Sequence, residues 1–141
     1  MKILLAVDGS PAALAAVAHA LALRAAGLDA EFLLANVQEP PSLYEVIVAH
    51  DAELIDQVRR DAGADLLQPA EALLDAAGAR YESVVAGGQA AHVLVDLLEE
   101  HGCDAVVVGT PDAEPGPVAQ ALLRHSPVPV TLVRAPEATG T

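Results

Sequence analysis

Short runs of consecutive apolar residues alternate along this chain with longer segments in which apolar residues recur every three or four positions. The continuous runs predict five strands, at residues 3–7, 31–37, 80–86, 105–108 and 127–134. The periodic segments predict four helices, at residues 11–26, 51–77, 91–101 and 116–126. Strands that alternate with helices in this way predict a doubly wound, parallel α/β sheet with helices on both faces.

Residues that favour helix ends and breaks predict where several elements begin and end. Ser10 is suited to cap the first helix and Pro11 to occupy its first position. The second helix is predicted to keep one apolar stripe across Pro69, which would kink the helix on its solvent face without dividing the chain. The stripe comprises Leu54, Val58, Ala62, Leu66, Ala70, Leu73 and Ala77. We therefore expect one domain over residues 1–141, with 135–141 as a loose C-terminal tail.

The apolar content of the strands predicts their places in the sheet. The uniformly apolar run 105–108 is typical of an interior strand, and the alternating run 80–86 of a strand near an edge. Pro127 and Pro129 place the last strand at an edge, since proline cannot donate to a strand ladder. An apolar edge over Val128–Arg134 invites pairing with another chain, so we expect a homodimer through this strand.

Charge and composition narrow the classes of partner. The chain has 20 acidic and 7 basic residues, a formal charge of −13. Proteins bind phosphate backbones and anionic lipid through surfaces rich in Lys and Arg. The acidic balance of this chain therefore excludes nucleic acid and membrane surfaces as partners. A single cysteine, Cys103, allows no internal disulfide and is expected to be buried. With no signal-peptide core and no apolar run of spanning length, we expect a cytoplasmic protein.

In open α/β sheets, ligands bind beyond the carboxyl ends of the strands, where the strand order reverses. The chain places Asp8, Val37, Gly87 and Gly109 at such ends. No P-loop or dinucleotide fingerprint is present, and a phosphoacceptor site would need an aspartate after the third strand and a late lysine. The five histidines show no metal-ligand spacing, and no Ser/His/Asp set can be assembled. We therefore expect no metal site and no catalytic residue.

Several segments together resemble the universal stress protein family. They are MKILLAVDGS at 1–10, ANV at 35–37, AGGQAA at 86–91, GCDAVVVGT at 102–110 and LRHSPVPVTLVR at 123–134. The resemblance spans nearly the whole chain. It implies a flavodoxin-like or Rossmann-like sheet of order 3-2-1-4-5 and a dimer formed through the last strand.

Nucleotide-binding members of that family carry the motif G-x2-G-x9-G-[ST] after strand four, an Asp after strand one and a Val at the end of strand two. The resemblance assigns Asp8, Val37, Gly109 and Gly116 to these positions. Only residues 110–115 separate the two glycines here, six where the motif has twelve, and Pro117 stands at the Ser/Thr position. Proline offers neither the hydroxyl nor the N–H that a phosphate loop directs at its anion. We expect a vestigial site and no cofactor.

The sequence allows more than one role for the assigned site residues and more than one function for the chain. Asp8 is either a ligand contact or a local hydrogen-bonding residue of its turn, and Gly109 and Gly116 are either ligand contacts or a turn and a helix-start glycine. The leading hypothesis is a non-catalytic, homodimeric stress-response module that binds ATP poorly. The alternatives are an adenine-nucleotide-binding member, with ATP, Mg²⁺ and weak hydrolysis, and an assembly module whose ligand is another protein.

Overall fold

A computed structural model describes residues 1–39, 52–111 and 114–135 of the chain. It contains the strands β1 (Lys2–Ala6), β2 (Glu31–Gln38), β3 (Tyr81–Gly87), β4 (Ala105–Thr110) and β5 (Val130–Arg134). The helices are α1 (Pro11–Ala25), α2 (Ala52–Ala76), α3 (Ala90–Glu100) and α4 (Pro117–His125). The sheet is parallel and its order is β3-β2-β1-β4-β5, which confirms the predicted fold class and strand order.

The sheet is covered on both faces by apolar side chains from the helices. On one face α1 and α2 pack over the side chains of Ile3, Leu5, Phe32, Leu34 and Val107. On the other face α3 and α4 pack over Leu4, Leu33, Ala35, Val106 and Val108. The side chains of a strand point alternately to opposite faces, so the continuous apolar runs of β1, β2 and β4 supply both cores.

The predicted turn signals at the helix ends are confirmed. The Ser10 hydroxyl oxygen accepts a hydrogen bond from the Ala13 amide at 3.1 Å, and Pro11 is the first residue of α1. Gly27, Gly78 and Gly102 follow α1, α2 and α3 with φ of 120°, 69° and 63°. Glycine adopts these positive φ values without strain, which is why each helix ends where its glycine stands.

The predicted apolar stripe of α2 is wrong except at Ala70, which is buried. Leu54 and Val58 are 56% and 58% exposed, whereas Leu67 and Leu74, which lie outside the stripe, are buried. The buried row also contains Gly63, where a Cβ would lie 2.5 Å from Val85 Cγ1 and 2.8 Å from Asn36 Oδ1. Helix α2 therefore packs the row that contains Gly63 against the sheet, because its backbone approaches β2 and β3 closely at this glycine. Pro69 is exposed within one continuous helix, as predicted.

The last strand is shorter than predicted, because residues 127–129 lie outside β5. The Ser126 side chain accepts a hydrogen bond from the Val128 amide and donates one to the Val128 carbonyl, which folds this segment into a local turn. Ala135 does not belong to a loose tail, since its amide donates to the Thr110 carbonyl at 3.0 Å. The remainder of the predicted tail, 136–141, lies outside the described residues, as does the connection through His50.

Among the described residues, Tyr81 at the start of β3 and Cys103 just before β4 have raised pKa values. The hydrogen bond from the Tyr81 hydroxyl to Asp75, at 2.8 Å, and partial burial raise the pKa of Tyr81 to about 12. Burial raises the pKa of the Cys103 thiol, which packs in the core between the sheet and α3, as expected of a structural cysteine. Neither side chain lies at the carboxyl ends of the strands.

Candidate functional site

A crevice with a cavity of about 220 Å³ opens at the carboxyl ends of β1 and β4. The strand order reverses at β1, which has β2 on one side and β4 on the other. The four residues assigned from the sequence, Asp8, Val37, Gly109 and Gly116, all line it. Gly87, also at a strand end, lies in a different cavity.

The turn between β1 and α1 presents Asp8 at the rim of the crevice. Asp8 Oδ1 accepts a hydrogen bond from the Ser10 amide at 2.9 Å, so the local role considered for this aspartate is present. Its side chain is nevertheless exposed and lines the cavity. Gly9 turns the chain with φ 86°, a conformation that favours glycine. Asp8 can therefore shape its turn and still offer a carboxylate oxygen to a ligand.

Asn36 does not line the crevice, but it supports the turn that carries Asp8, a role that sequence reasoning missed. Its side chain is only 2% exposed, and its amide nitrogen donates to the Val7 carbonyl at 2.8 Å. Its carbonyl oxygen accepts a hydrogen bond from Gln38 Nε2 at 2.7 Å. Because the Val7 carbonyl belongs to the peptide that leads into Asp8, Asn36 fixes the direction in which the turn leaves β1. A polar residue inside the apolar run of β2 was the available signal.

The opposite wall of the crevice is the loop between β4 and α4, and side chains hold it from two directions. Thr110 is 3% exposed, and its hydroxyl donates to the Glu114 carbonyl at 3.2 Å. Gln120 Nε2 donates to the Pro115 carbonyl at 2.7 Å. Both contacts were missed from the sequence, since neither residue belongs to a ligand motif. They tie the shortened loop to the strand before it and the helix after it.

The two assigned glycines of this loop have different environments. A Cβ on Gly109 would lie 2.0 Å from the Ala12 carbonyl oxygen and 3.0 Å from the Ala13 nitrogen, because the first turn of α1 crosses directly over the end of β4. A Cβ on Gly116 would meet no atom within 4 Å. Gly116 is the residue before α4, and no side chain caps that helix. Gly109 is thus required by packing whether or not a ligand binds.

The chemistry of the crevice is mainly apolar. Its lining comprises Ala6, Val7, Asp8, Ser10, Ala13, Ala35, Val37, Ala90, Leu94, Val108, Gly109, Pro111, Gly116, Pro117, Val118 and Ala119. Asp8 is the one ionisable side chain in this set, so the described lining holds no cation and no acid–base pair. Such walls can bind an apolar ring and orient it through one carboxylate.

A cavity of about 420 Å³ lies beside the ends of β2 and β3, against the first turns of α2. Its lining has mixed charge, since it includes Arg59, Arg60, Glu39 and Asp56. The arginines already have local partners: Arg59 donates to the Glu39 carbonyl and Arg60 to the Gln57 side chain. We therefore place the candidate site in the smaller, apolar crevice at the topological switch point.

Comparison with known proteins identifies the family. The model of the universal stress protein family matches residues 1–134. The chain belongs to the universal stress protein family. Membership confirms the resemblance found in the sequence segments, and the five-stranded sheet is the fold of its structural neighbours. No curated protein sequence matches the chain.

Solved universal stress protein structures superpose over nearly the whole chain. One from Burkholderia pseudomallei is 27% identical, with a TM-score of 0.75 and coverage of 94% of each chain. A universal stress protein in complex with cAMP is 25% identical, with a TM-score of 0.69 and coverage of 96% of this chain and 98% of that one. An Arabidopsis thaliana member with AMP bound is 20% identical, with a TM-score of 0.75 and coverage of 97% and 93%.

Among the helices of the described residues, none has the length and hydrophobicity of a membrane span. Within residues 1–39, 52–111 and 114–135, no three His, Cys, Asp or Glu side chains are grouped so that they could hold a metal ion.

Proposed function

We propose that this chain is a single-domain, homodimeric binding and regulatory module of the universal stress protein type, not a catalyst, and that it binds ATP weakly. The observation that carries the proposal is the loop between β4 and α4. Six residues separate Gly109 from Gly116, and Pro117 occupies the first position of α4. The module is expected to act through its crevice and its dimer interface, without turning over a substrate.

The residues of the crevice do not fit a triphosphate. Phosphates are held by backbone N–H groups, hydroxyls and cations. Pro111 and Pro117 have no N–H, and no lysine or arginine stands among the lining residues that the structure describes. The formal charge of the chain is −13, which adds general repulsion. The missing donors and cations weaken the binding of a multiply charged anion.

Restoring one donor group tests this explanation. Pro117→Ser returns a hydroxyl and an N–H to the start of α4, and a hydrogen bond to a charged group contributes about 1.5 kcal/mol or more. We expect the affinity for MgATP to rise about tenfold. The affinities are compared by ligand-observed NMR or calorimetry. Pro115→Ser is the matched control, since Pro115 does not line the crevice. An unchanged affinity in Pro117→Ser would show that the missing donors are not the cause.

The proposed dimer rests on the free edge of β5. The Val106 amide donates to the Pro129 carbonyl, and the Ala135 amide donates to the Thr110 carbonyl, so residues 129 and 135 direct their backbone groups toward β4. Backbone groups alternate between the two edges of a strand, so those of Val130 and Leu132 are directed away from β4. An antiparallel copy of β5 would satisfy them across a two-fold axis.

A proline at the free edge tests the dimer. Leu132→Pro removes an outward N–H without removing a donor to β4, so we expect the mass in solution to fall from twice 14.4 kDa to 14.4 kDa at micromolar concentration. The measurement is light scattering after size exclusion. Leu132→Val, which retains the N–H, is expected to remain dimeric. A wild-type chain that elutes at 14.4 kDa, or a Leu132→Pro variant that stays dimeric, would contradict the proposal.

The second candidate function is adenine-nucleotide binding with weak hydrolysis. Two observations favour it: the first turn of α4 lies on the crevice without a side-chain cap, and structural neighbours hold AMP or cAMP. In that case Asp8, Val37, Gly109 and Gly116 would contact the nucleotide and Mg²⁺ would accompany ATP. This candidate requires ATP to bind the wild-type chain saturably. A partner protein on the dimeric module is the remaining possibility.

A further inference from the structure

Helix α2 carries apolar side chains on a second side, away from the core. Its buried row, with Gly63, Leu67 and Leu74, packs on the sheet. A further row lies about 110° round the helix from the buried one. Its members are exposed or half-buried and are spaced three or four residues apart: Ile55, Val58, Ala62, Leu66, Pro69 and Leu73. We call these six residues the outer apolar row.

The larger side chains of the outer apolar row keep much of their surface in water. Val58 is 58% exposed, Leu73 40% and Leu66 37%. Leu66 is nevertheless held in place, since a Cβ on Gly9 would lie 2.5 Å from Leu66 Cδ2. A surface helix normally has its polar residues on the side away from the core, and a contiguous exposed apolar patch is typical of a contact surface.

The sequence of α2 is self-complementary about Ala62. Four positions before and after it stand Val58 and Leu66, both apolar, and three positions before and after it stand Arg59 and Asp65, with opposite charges. At seven positions both residues are again apolar. In two helices packed antiparallel about a two-fold axis through Ala62, a residue before Ala62 faces the residue equally far after it on the partner. Like therefore meets like in the row, and opposite charges meet beside it.

The charges that flank the row favour the antiparallel arrangement. Asp65 is exposed and Arg59 half-buried, and they stand on opposite sides of the outer apolar row. Arg59 donates to the Glu39 carbonyl, and a guanidinium has five N–H donors, so it can bind a carboxylate as well. Antiparallel packing forms the pair between Arg59 and Asp65 of the partner subunit twice. Parallel packing would put both arginines at one level and both aspartates at another.

We propose that the outer apolar row of α2 binds the same row of a second copy of this chain, antiparallel, with Ala62 at the two-fold axis. The small side chain of Ala62 allows the two helices to approach closely at the axis. This surface is separate from the proposed β5 interface and needs no ligand in the crevice. One helix pair is a small interface, so we expect a Kd of about 0.1 mM. Together, the α2 and β5 contacts would join dimers into larger assemblies.

Sedimentation equilibrium of the Leu132→Pro variant, which removes the β5 contact, tests the proposal. At about 0.01 mM we expect a weight-average mass near 14.4 kDa, and at about 0.5 mM a mass that rises toward twice this value. Adding Val58→Asp, which places an acid against Leu66 of the partner subunit, is expected to abolish the rise. The matched control is Ala64→Asp, since Ala64 is exposed on the opposite side of α2.

Disulfide trapping tests the register with the β5 interface left intact. Ala62→Cys brings two thiols together at the two-fold axis, within the reach of a disulfide, whereas the native Cys103 is buried. With copper phenanthroline as oxidant, we expect chains to cross-link about tenfold faster than those with Ala64→Cys. Adding Asp65→Arg to Ala62→Cys sets like charges together and is expected to slow cross-linking roughly fivefold. Adding Arg59→Asp as well is expected to restore the rate.

Three results would overturn the proposal: a mass that stays at 14.4 kDa at the higher concentration, equal cross-linking rates for Ala62→Cys and Ala64→Cys, or no restoration by the reversed charge pair. The first two are also the results expected if residues 40–51 of the same chain, or a different protein, occupy the outer apolar row. The proposed β5 dimer is judged separately, by the mass of the wild-type chain at micromolar concentration.

Discussion

Gly109→Ala is expected to lower the free energy of unfolding by about 3 kcal/mol, the upper part of the usual range for overpacked sites. The added Cβ would stand 2.0 Å from the Ala12 carbonyl oxygen and 2.4 Å from the Ala12 carbonyl carbon. These are backbone atoms of the first turn of α1, so no side-chain rotation relieves the contact. For a domain of this size, the loss corresponds to a fall in Tm of roughly 10 °C.

Gly116→Ala is the matched control for this prediction. Gly116 has φ of −71°, and a Cβ there meets no atom within 4 Å, so the change in stability is expected to stay within about 0.5 kcal/mol. Urea unfolding followed by circular dichroism measures both variants. Equal effects at the two positions would refute a packing role specific to Gly109. A large difference would mean that packing against α1 requires a glycine at Gly109, whatever the crevice binds.

Asn36→Ala is expected to cost about 2–3 kcal/mol of stability. The substitution leaves the Val7 carbonyl without its buried donor, and a buried polar group that loses its partner is destabilising by about 1–3 kcal/mol. It also removes the acceptor of the part-buried Gln38 amide. The turn that carries Asp8 is also expected to change, because the Val7 carbonyl is no longer held. Urea unfolding gives the stability, and backbone amide NMR shifts of residues 7–10 report the turn.

Ser83→Ala serves as the control for Asn36. The Ser83 hydroxyl donates to Glu71 at 2.7 Å on an exposed part of β3, where water replaces a lost partner. Its removal is expected to cost less than about 0.5 kcal/mol and to leave the amide shifts of 7–10 unchanged. If Asn36→Ala were as mild as Ser83→Ala, or left those shifts in place, Asn36 would not hold the turn.

The fold was predictable because its signals are local and repeated. Apolar runs of strand length, separated by helical periodicity and closed by glycines, predict each element within a few residues. The start of β5 shows the limit. Residues 127–129 were predicted as strand, but the two hydrogen bonds between Ser126 and Val128 form a local turn there. A side chain that bonds to its own neighbouring backbone leaves little trace in a hydrophobicity pattern.

The face of α2 was predicted wrongly for a different reason. Its sequence offers two rows of small or apolar residues, one with Leu54 and Val58 and one with Leu67 and Leu74. The first row was predicted to be buried because its side chains are larger. The second is buried because Gly63 lets the helix approach Asn36 and Val85, a fit set by the distance between layers. Spacing along one helix carries no information about that distance.

The candidate site was also predictable only in part. The parallel topology brings the ends of β1, β2 and β4 together, so Asp8, Val37 and Gly109 could be placed in one crevice before any coordinates. The hydrogen bonds that hold its walls were not predicted, because Asn36 and Thr110 bond to carbonyls whose positions depend on the fold. Their signal is polarity in a strand that is otherwise buried, and it predicts a bonded partner without naming it.

Calorimetric titration of the nucleotide-stripped protein with MgATP decides whether the crevice is an ATP site. The concentrations should detect a Kd of about 100 μM, which corresponds to roughly −5.5 kcal/mol. We expect no saturable heat in this range, because the short loop and Pro117 leave the phosphates without donors. Saturable binding that Asp8→Ala abolishes would contradict this expectation and would establish the crevice as an ATP site despite the shortened loop.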